Sequence, residues 1–311
     1  MRVSLASNAT AKMVKPRRIS YKLRQKIAIY LLILPGTALF LTWTMYPVIY
    51  AFVMSFFDWN PNPAATSTFT GLANYTRAFS DPVFFQAFRN IVFYTLVTVV
   101  GQMVCGLAVA LLLNRKLAAR GVFRAMYYLP VVMSWVVVSI IFIYIFSTDG
   151  LVDYIFGSVL HLIPPDQNWL GDTSLALPTL MILGIWKGIG WNMVVFLAGL
   201  QSIPSDIYEA ARVDGANSWQ VFRRITLPLL RPVLSFVSVV LMIGGFGTFI
   251  QIFIITGGGP LHSTETLLSY AYNNAFSSFD FGYGAALTYI FAAFILALAL
   301  IQLRLTRYQI H

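Results

Sequence analysis

Charged side chains are scarce in this chain: Asp, Glu, Lys and Arg make up 10% of its 311 residues, against 58% hydrophobic. A soluble core of that length needs far more polar surface to enclose it, so the composition excludes a soluble globular domain and defines a membrane protein. Cysteine is nearly absent. The single Cys105 lies in an apolar run, which rules out an intrachain disulfide and leaves the thiol as a small packing residue. The three histidines, His161, His262 and His311, are scattered through loops and the end of the chain, and give no basis for a metal centre or a triad. No Gly-x-x-x-x-Gly-Lys-Ser/Thr stretch occurs, so the sequence offers no P-loop nucleotide site. No Asp or Glu falls inside an apolar run, which deprives a standalone secondary transporter or channel of ion-coupling carboxylates.

What the sequence does contain is six apolar runs, at about Ile27 to Phe57, Asn90 to Leu113, Ala125 to Phe146, Leu175 to Leu200, Leu229 to Thr256 and Phe281 to Leu303. Each is long enough for a helix to cross a bilayer, and a barrel would instead show short segments of alternating polarity. The first exceeds the core of a signal peptide and is read as a retained span, with bends at Pro35-Gly36 and Pro47. The net charge of +10 is compatible with nucleic-acid binding until its location is considered. Eight basic residues precede span 1, Arg115, Lys116, Arg120 and Arg124 fill the short loop after span 2, and Arg304 and Arg307 follow span 6. The segment from Ser147 to Ser174 has Asp149, Asp153, Asp166 and Asp172 but no Lys or Arg. This is positive-inside bias, with both termini cytoplasmic, and not a nucleic-acid stripe. Outside, Asp81 before Pro82 reads as the start of a short interfacial helix carrying Phe84, Phe85 and Phe88.

Between spans 4 and 5 lies a polar cytoplasmic loop, Gln201 to Pro228. Ser205 reads as an N-cap and Asp206 as an acidic first turn, while Glu209 and Arg212 are spaced to pair. Gly215 stops the helix, and Asn217 or Ser218 caps a second one that ends at Pro228. The two helices meet at a glycine elbow. A solvated loop is the plain alternative, but Ile207, Tyr208, Val213, Trp219, Val221 and Phe222 are too many apolar side chains for one that touches only water. A docking surface accounts for them.

Glu209-Ala210-Ala211, Gly215 three residues on, and Ile225-Thr226-Leu227-Pro228 after nine more resemble the loop motif of permease subunits in binding-protein-dependent ABC importers, with every spacing met. Gly71-Leu72-Ala73-Asn74-Tyr75, Leu200 to Pro204, Asp214-Gly215-Ala216 and Thr256 to Pro260 are similar to the carbohydrate-uptake branch and its maltose-type first permease. The resemblance covers about residues 21 to 307. It implies an all-α integral membrane protein with six transmembrane helices, the type I ABC importer transmembrane domain. Residues 1–26 would be a basic cytoplasmic tail, 27–307 the transmembrane domain with its coupling loop at 201–228, and 308–311 a cytoplasmic end. It also implies that Glu209, Ala210, Ala211, Arg212, Asp214 and Gly215 seat in an ATPase subunit. The implied partners are a second permease subunit in a heterodimer, two cytoplasmic ATPase subunits and an extracytoplasmic solute-binding protein. This chain would hold no cofactor, ATP and Mg being bound by the ATPases, and would reside in a bacterial or archaeal inner membrane.

A permease needs a pathway near mid-membrane. Gly184, Lys187, Gly188, Trp191 and Val195 recur at helical spacing in span 4, and Leu241, Gly244, Gly245, Thr248 and Gln251 or Ile252 share a face of span 5. Lys187 is the one basic residue in a span interior, and an intramembrane charge marks a functional site by default. Close helix packing of the small-xxx-small kind explains the glycines equally well. Resemblance places the substrate pathway at Lys187, Gly188, Trp191, Leu241, Gly244, Gly245 and Thr248. Lys187 then either binds an anionic group or pairs internally. The function implied is the permease of an ATP-driven disaccharide or oligosaccharide importer, with glycerol-phosphate or polyol-type solutes as the alternative.

Overall fold

The computed structural model describes residues 21–62, 66–115, 118–164 and 167–307. The expected tail before Tyr21, the 308–311 end, Lys116 and Asp166 lie outside them. The described residues divide into two units between Ala51 and Phe52. The helix Tyr21–Phe40 continues through a π-helical turn at Leu41–Met45 into Tyr46–Met54, whose last residues, from Phe52, belong to the second unit. Its first turns carry Lys22, Arg24 and Lys26, but no charge occurs from Ile27 to Phe57, so from Ile27 onward it has no charged face, as a lipid-crossing segment requires.

The second unit continues with a two-residue antiparallel pairing, Phe57–Asp58 with Thr68–Phe69, in which Phe57 faces Phe69. The buried Asn74 amide in the short helix Ala73–Ala78 donates to the Ser55 and Phe57 carbonyls, each at 3.0 Å. Span 2 is one helix, Pro82–Leu113. The expected separate interfacial helix is therefore corrected: its aromatic segment forms the outer turns of span 2, because no helix-breaking residue separates Phe88 from Asn90. Asp81 does cap it, accepting from the Val83 N–H at 2.9 Å.

Span 3 is broken. Arg120–Val132 and Trp135–Ile145 meet at 98°, with Ser134 Oγ capping the second arm by accepting from the Val136 N–H at 3.2 Å. Counting the bent pair as one span gives six; five helices are long and apolar enough alone. Span 4, Ala176–Gln201, is the central helix: 56% of its apolar window is buried, against 28% or less for the others. Span 5 is interrupted between Arg231–Phe246 and Ile250–Ile255, and span 6 runs Phe281–Arg307.

Two apolar clusters hold the bundle. One joins Ile91, Leu180, Phe246, Leu267 and Leu287 towards the end opposite the 201–228 loop. The other joins Leu113, Phe196, Leu200, Leu230 and Val237 near that loop. At the far end Asp81, Asp280 and Glu265 are tied into the fold, while Asp58 and Asp149 stay exposed. The Asp81 carboxylate accepts from the Tyr270 hydroxyl at 2.5 Å and the Tyr283 hydroxyl at 2.6 Å. Burial alone would raise the Asp81 carboxyl, but those two hydroxyls and the Val83 and Phe84 N–H groups together hold it below the usual carboxylate range. Burial, with the neighbouring Asp81 charge, pushes the Tyr270 hydroxyl up to about 12. Arg77 pairs with Asp280 at 2.6 Å, and the buried Glu265 accepts from Asn273 at 3.2 Å and lies 3.1 Å from the His262 ring.

Candidate functional site

Between the two apolar clusters lies a cavity of about 330 Å³. All seven residues expected to line a pathway, Lys187, Gly188, Trp191, Leu241, Gly244, Gly245 and Thr248, border it. Their glycines do different things. A Cβ on Gly244 would meet nothing within 4 Å, whereas one on Gly245 would lie 2.7 Å from Thr95 Cγ2. So Gly244 leaves space in the wall, and Gly245 lets spans 2 and 5 touch. On span 4, a Cβ at Gly188 would collide with the Gln102 amide, and one at Gly184 would lie 2.5 Å from the Tyr94 hydroxyl. The packing and cavity readings of the glycine faces are thus both realised, residue by residue.

Sequence reasoning missed the contribution of span 2. Tyr94, Thr98 and Gln102 line the cavity, and with Gln86 and Asn90 they form a row at every fourth position. That spacing is the signal that would have found them. Each is engaged with another element or with its own helix. Gln86 donates to the Leu261 carbonyl at 3.2 Å, and Asn90 donates to those of His262 and Glu265 at 3.0 Å. Tyr94 accepts from Gln251 at 3.3 Å, and Thr98 donates to the Tyr94 carbonyl at 2.7 Å. Gln102 donates to the Gly184 carbonyl at 3.1 Å and accepts from Asn192 at 3.2 Å. Asn192 is fully buried beside them, and its Oδ1 has no partner among the described residues.

Lys187 is the only charged residue among the described residues of this wall, and only 5% of its surface is exposed. Its ammonium donates to the carbonyls of Pro130 at 2.6 Å and Met133 at 2.7 Å, with that of Val131 at 3.4 Å. It also stands 4.8 Å from the centre of the Trp135 ring. Of the two readings open for Lys187, the geometry carries the internal one.

The loop site has the expected elbow. One helix runs Ser205–Val213, Gly215 follows in the left-handed conformation at φ +75°, and a second starts at Ser218. Asn217 caps that second helix, accepting from the Gln220 N–H at 2.9 Å while the Gln220 side chain returns the bond at 2.9 Å. Three expectations change. Pro204, not Ser205, stands at the first N-cap, so no side chain caps that helix. Glu209 and Arg212 form no ion pair, since both project into solvent, where such a pair gains little. Ala211 is buried against its own chain and accepts from the Ala216 N–H at 2.9 Å, so it supports the elbow from beneath. Glu209, Ala210, Arg212, Asp214 and Gly215 stay exposed, flanked by Val213 at 88% and Trp219 at 65% exposure. Tyr208 and Thr226, 3.4 Å apart through their hydroxyls, hold the two helices together from below.

A bundle of membrane-crossing helices that holds a partly open cavity lined by both apolar and polar side chains, with an exposed elbow at one end, suits a transport permease. The chain belongs to the family described as the binding-protein-dependent transport system inner membrane component, whose pattern matches residues 102–309. It is 34% identical to the lactose transport system permease protein LacF of Rhizobium radiobacter, over 93% of this chain and 97% of that one. It is 35% identical to the arabinooligosaccharides transport system permease protein AraP of Bacillus subtilis, over 91% of this chain and 89% of that one. The fold, that of a type I ABC importer permease, matches a crystal structure of a bacterial ABC transporter involved in the import of the acidic polysaccharide alginate. The TM-score is 0.79 at 23% identity, over 92% of this chain and 97% of the other.

Proposed function

We propose that this chain is the permease half of an ATP-driven importer of neutral disaccharides or oligosaccharides. The observation that carries this reading is the cavity wall: amides and hydroxyls at Tyr94, Thr98, Gln102, Asn192, Thr248 and Gln251, indoles at Trp135 and Trp191, and a single charge already bonded within the protein. Hydroxyl-rich rings need that mixture, because indole faces take the C–H side of a sugar and amides exchange hydrogen bonds with its hydroxyls. At about 330 Å³ the cavity is at the low end of the roughly 300–1,000 Å³ typical of small-molecule sites, which suits a wall completed by a second permease subunit. The sugar-transport names of LacF and AraP support the same solute class.

The exposed elbow seats in one of two cytoplasmic ATPase subunits, which bind the ATP and Mg, and a solute-binding protein delivers sugar at the opposite end. The basic loop at Arg115, Arg120 and Arg124 supports a cytoplasmic side for both termini. The test is deletion of the gene in its host, followed by uptake measurements on a panel of radiolabelled neutral saccharides and phosphorylated polyols. Loss of uptake of one or more neutral saccharides is expected. Loss confined to a phosphorylated polyol would overturn the solute class.

A further inference from the structure

A charged side chain inside a membrane domain is costly unless it is paired, and the two ion pairs among the described residues leave Lys187 out. Its partners are the carbonyls exposed where span 3 breaks. The last carbonyls of any helix lack intrahelical donors, and they form the negative end of the helix dipole. In most helices water or a glycine turn satisfies them. Here the chain bends by 98° and the next arm starts at Trp135, so the carbonyls of Pro130, Val131 and Met133 converge on one buried point. An ammonium has three N–H donors, and three carbonyls meet it. The Trp135 ring beside it adds a cation–π contact.

The approach of the two helices is built for this. A Cβ on Gly190, one turn from Lys187, would collide with the carbonyl oxygen of Tyr127 in the first arm of span 3. That oxygen belongs to backbone and cannot swing aside. Gly190 therefore sets the separation at which the Lys187 side chain reaches the break.

We infer that Lys187 is a positioning residue of the pathway and not a counter-ion for solute: its ammonium closes the carbonyl end of the first arm of span 3, fixes the bend, and so places Trp135 on the cavity wall. This deepens the reading proposed above and rests on it only for the cavity's role as the pathway. Solute then meets the Trp135 indole, and the positive charge behind it stays committed to the backbone.

The experiment uses the assembled transporter with Cys105→Ala, carrying spin labels at Val122→Cys and Ile140→Cys, exposed positions on the two arms. The label-to-label distance distribution is expected to be narrow in this background and in Lys187→Arg, and broadened in Lys187→Met. At saturating ATP, hydrolysis by the assembly is expected to fall several-fold in Lys187→Met, with the half-saturating ATP concentration unchanged, and to recover in Lys187→Arg. An unchanged distance distribution in Lys187→Met would overturn the inference. If Lys187→Met does not assemble, reductive methylation of the intact wild-type transporter decides. Lys187 is expected to stay unmodified while the exposed Lys22 is methylated, and methylation of both at similar rates would overturn the inference. Neither the distances nor the methylation requires a solute, so a wrong sugar assignment would leave them standing.

Discussion

The membrane cavity and the 201–228 loop treat polar side chains in opposite ways. Around the cavity the polar groups on span 2 bond to other helices or to their own backbone, and the one ammonium is enclosed by carbonyls. On the loop, Glu209, Arg212 and Asp214 stand in solvent and form no ion pair among the described residues, beside an almost fully exposed valine. The difference separates residues that hold the fold from residues that wait for a partner. Substitution of the bonded polar groups in the cavity wall is therefore expected to cost stability as well as transport, whereas substitution of the exposed side chains around Gly215 spares the fold.

The contrast is broken most severely at Gly190. Gly190→Ala drives a methyl into the Tyr127 carbonyl, and overpacking of this kind costs about 1–3 kcal/mol. A thermal midpoint measured in detergent should fall accordingly. Next, Gly245→Ala forces Thr95 aside at a cost toward the lower end of that range, about 1–2 kcal/mol, while the adjacent Gly244→Ala enters open space within the helix and leaves the midpoint at or slightly above wild type. Equal midpoints for the two would show that the glycines do not divide between packing and cavity.

Asp81→Asn should cost about 1 kcal/mol, the lower end of hydrogen bonds to a charged group, because the site is partly solvated. Its pH dependence has a definite sign. The folded carboxyl titrates below its usual value of 3.8, so its contribution is complete above that value and is lost as pH falls through the lower folded one. The difference in midpoint between the wild type and the Asp81→Asn variant should thus be flat near neutral pH and shrink only in strong acid. Val213→Ser, on the exposed elbow, should leave the midpoint within about 0.5 kcal/mol of wild type.

How much of this was legible in the sequence follows the same division. Apolar runs and the asymmetry of Lys and Arg are properties of the linear chain, so the spans could be read directly. The elbow was legible because its signals are local: Gly215 at its stop, Asn217 and Gln220 three apart. The break at Met133-Ser134 was not. Ser134 sits among apolar residues as an ordinary small side chain, and Pro130, the visible breaker, lies inside the first arm. The partners of span 2 were hidden for a related reason. Asn90 bonds to carbonyls 172 and 175 positions away, and no window of neighbouring residues contains both ends. Lys187 was conspicuous as a charge, but its partners are backbone carbonyls, which carry no letter in a sequence.

The central claim is that the exposed elbow transmits force to a bundle whose stability does not depend on it. Gly215→Asp puts a side chain on a residue at φ +75°, which costs the fold about 1 kcal/mol of backbone strain although nothing lies within 4 Å of the new Cβ, so the change adds a modest local strain and a charged side chain on the docking face. The direct measurement is the ratio of sugar uptake to ATP hydrolysis in proteoliposomes carrying the complete transporter with that substitution. The account predicts continued hydrolysis, abolished uptake and a thermal midpoint lowered by no more than the roughly 1 kcal/mol of backbone strain. Uptake coupled to hydrolysis at the wild-type ratio would contradict it.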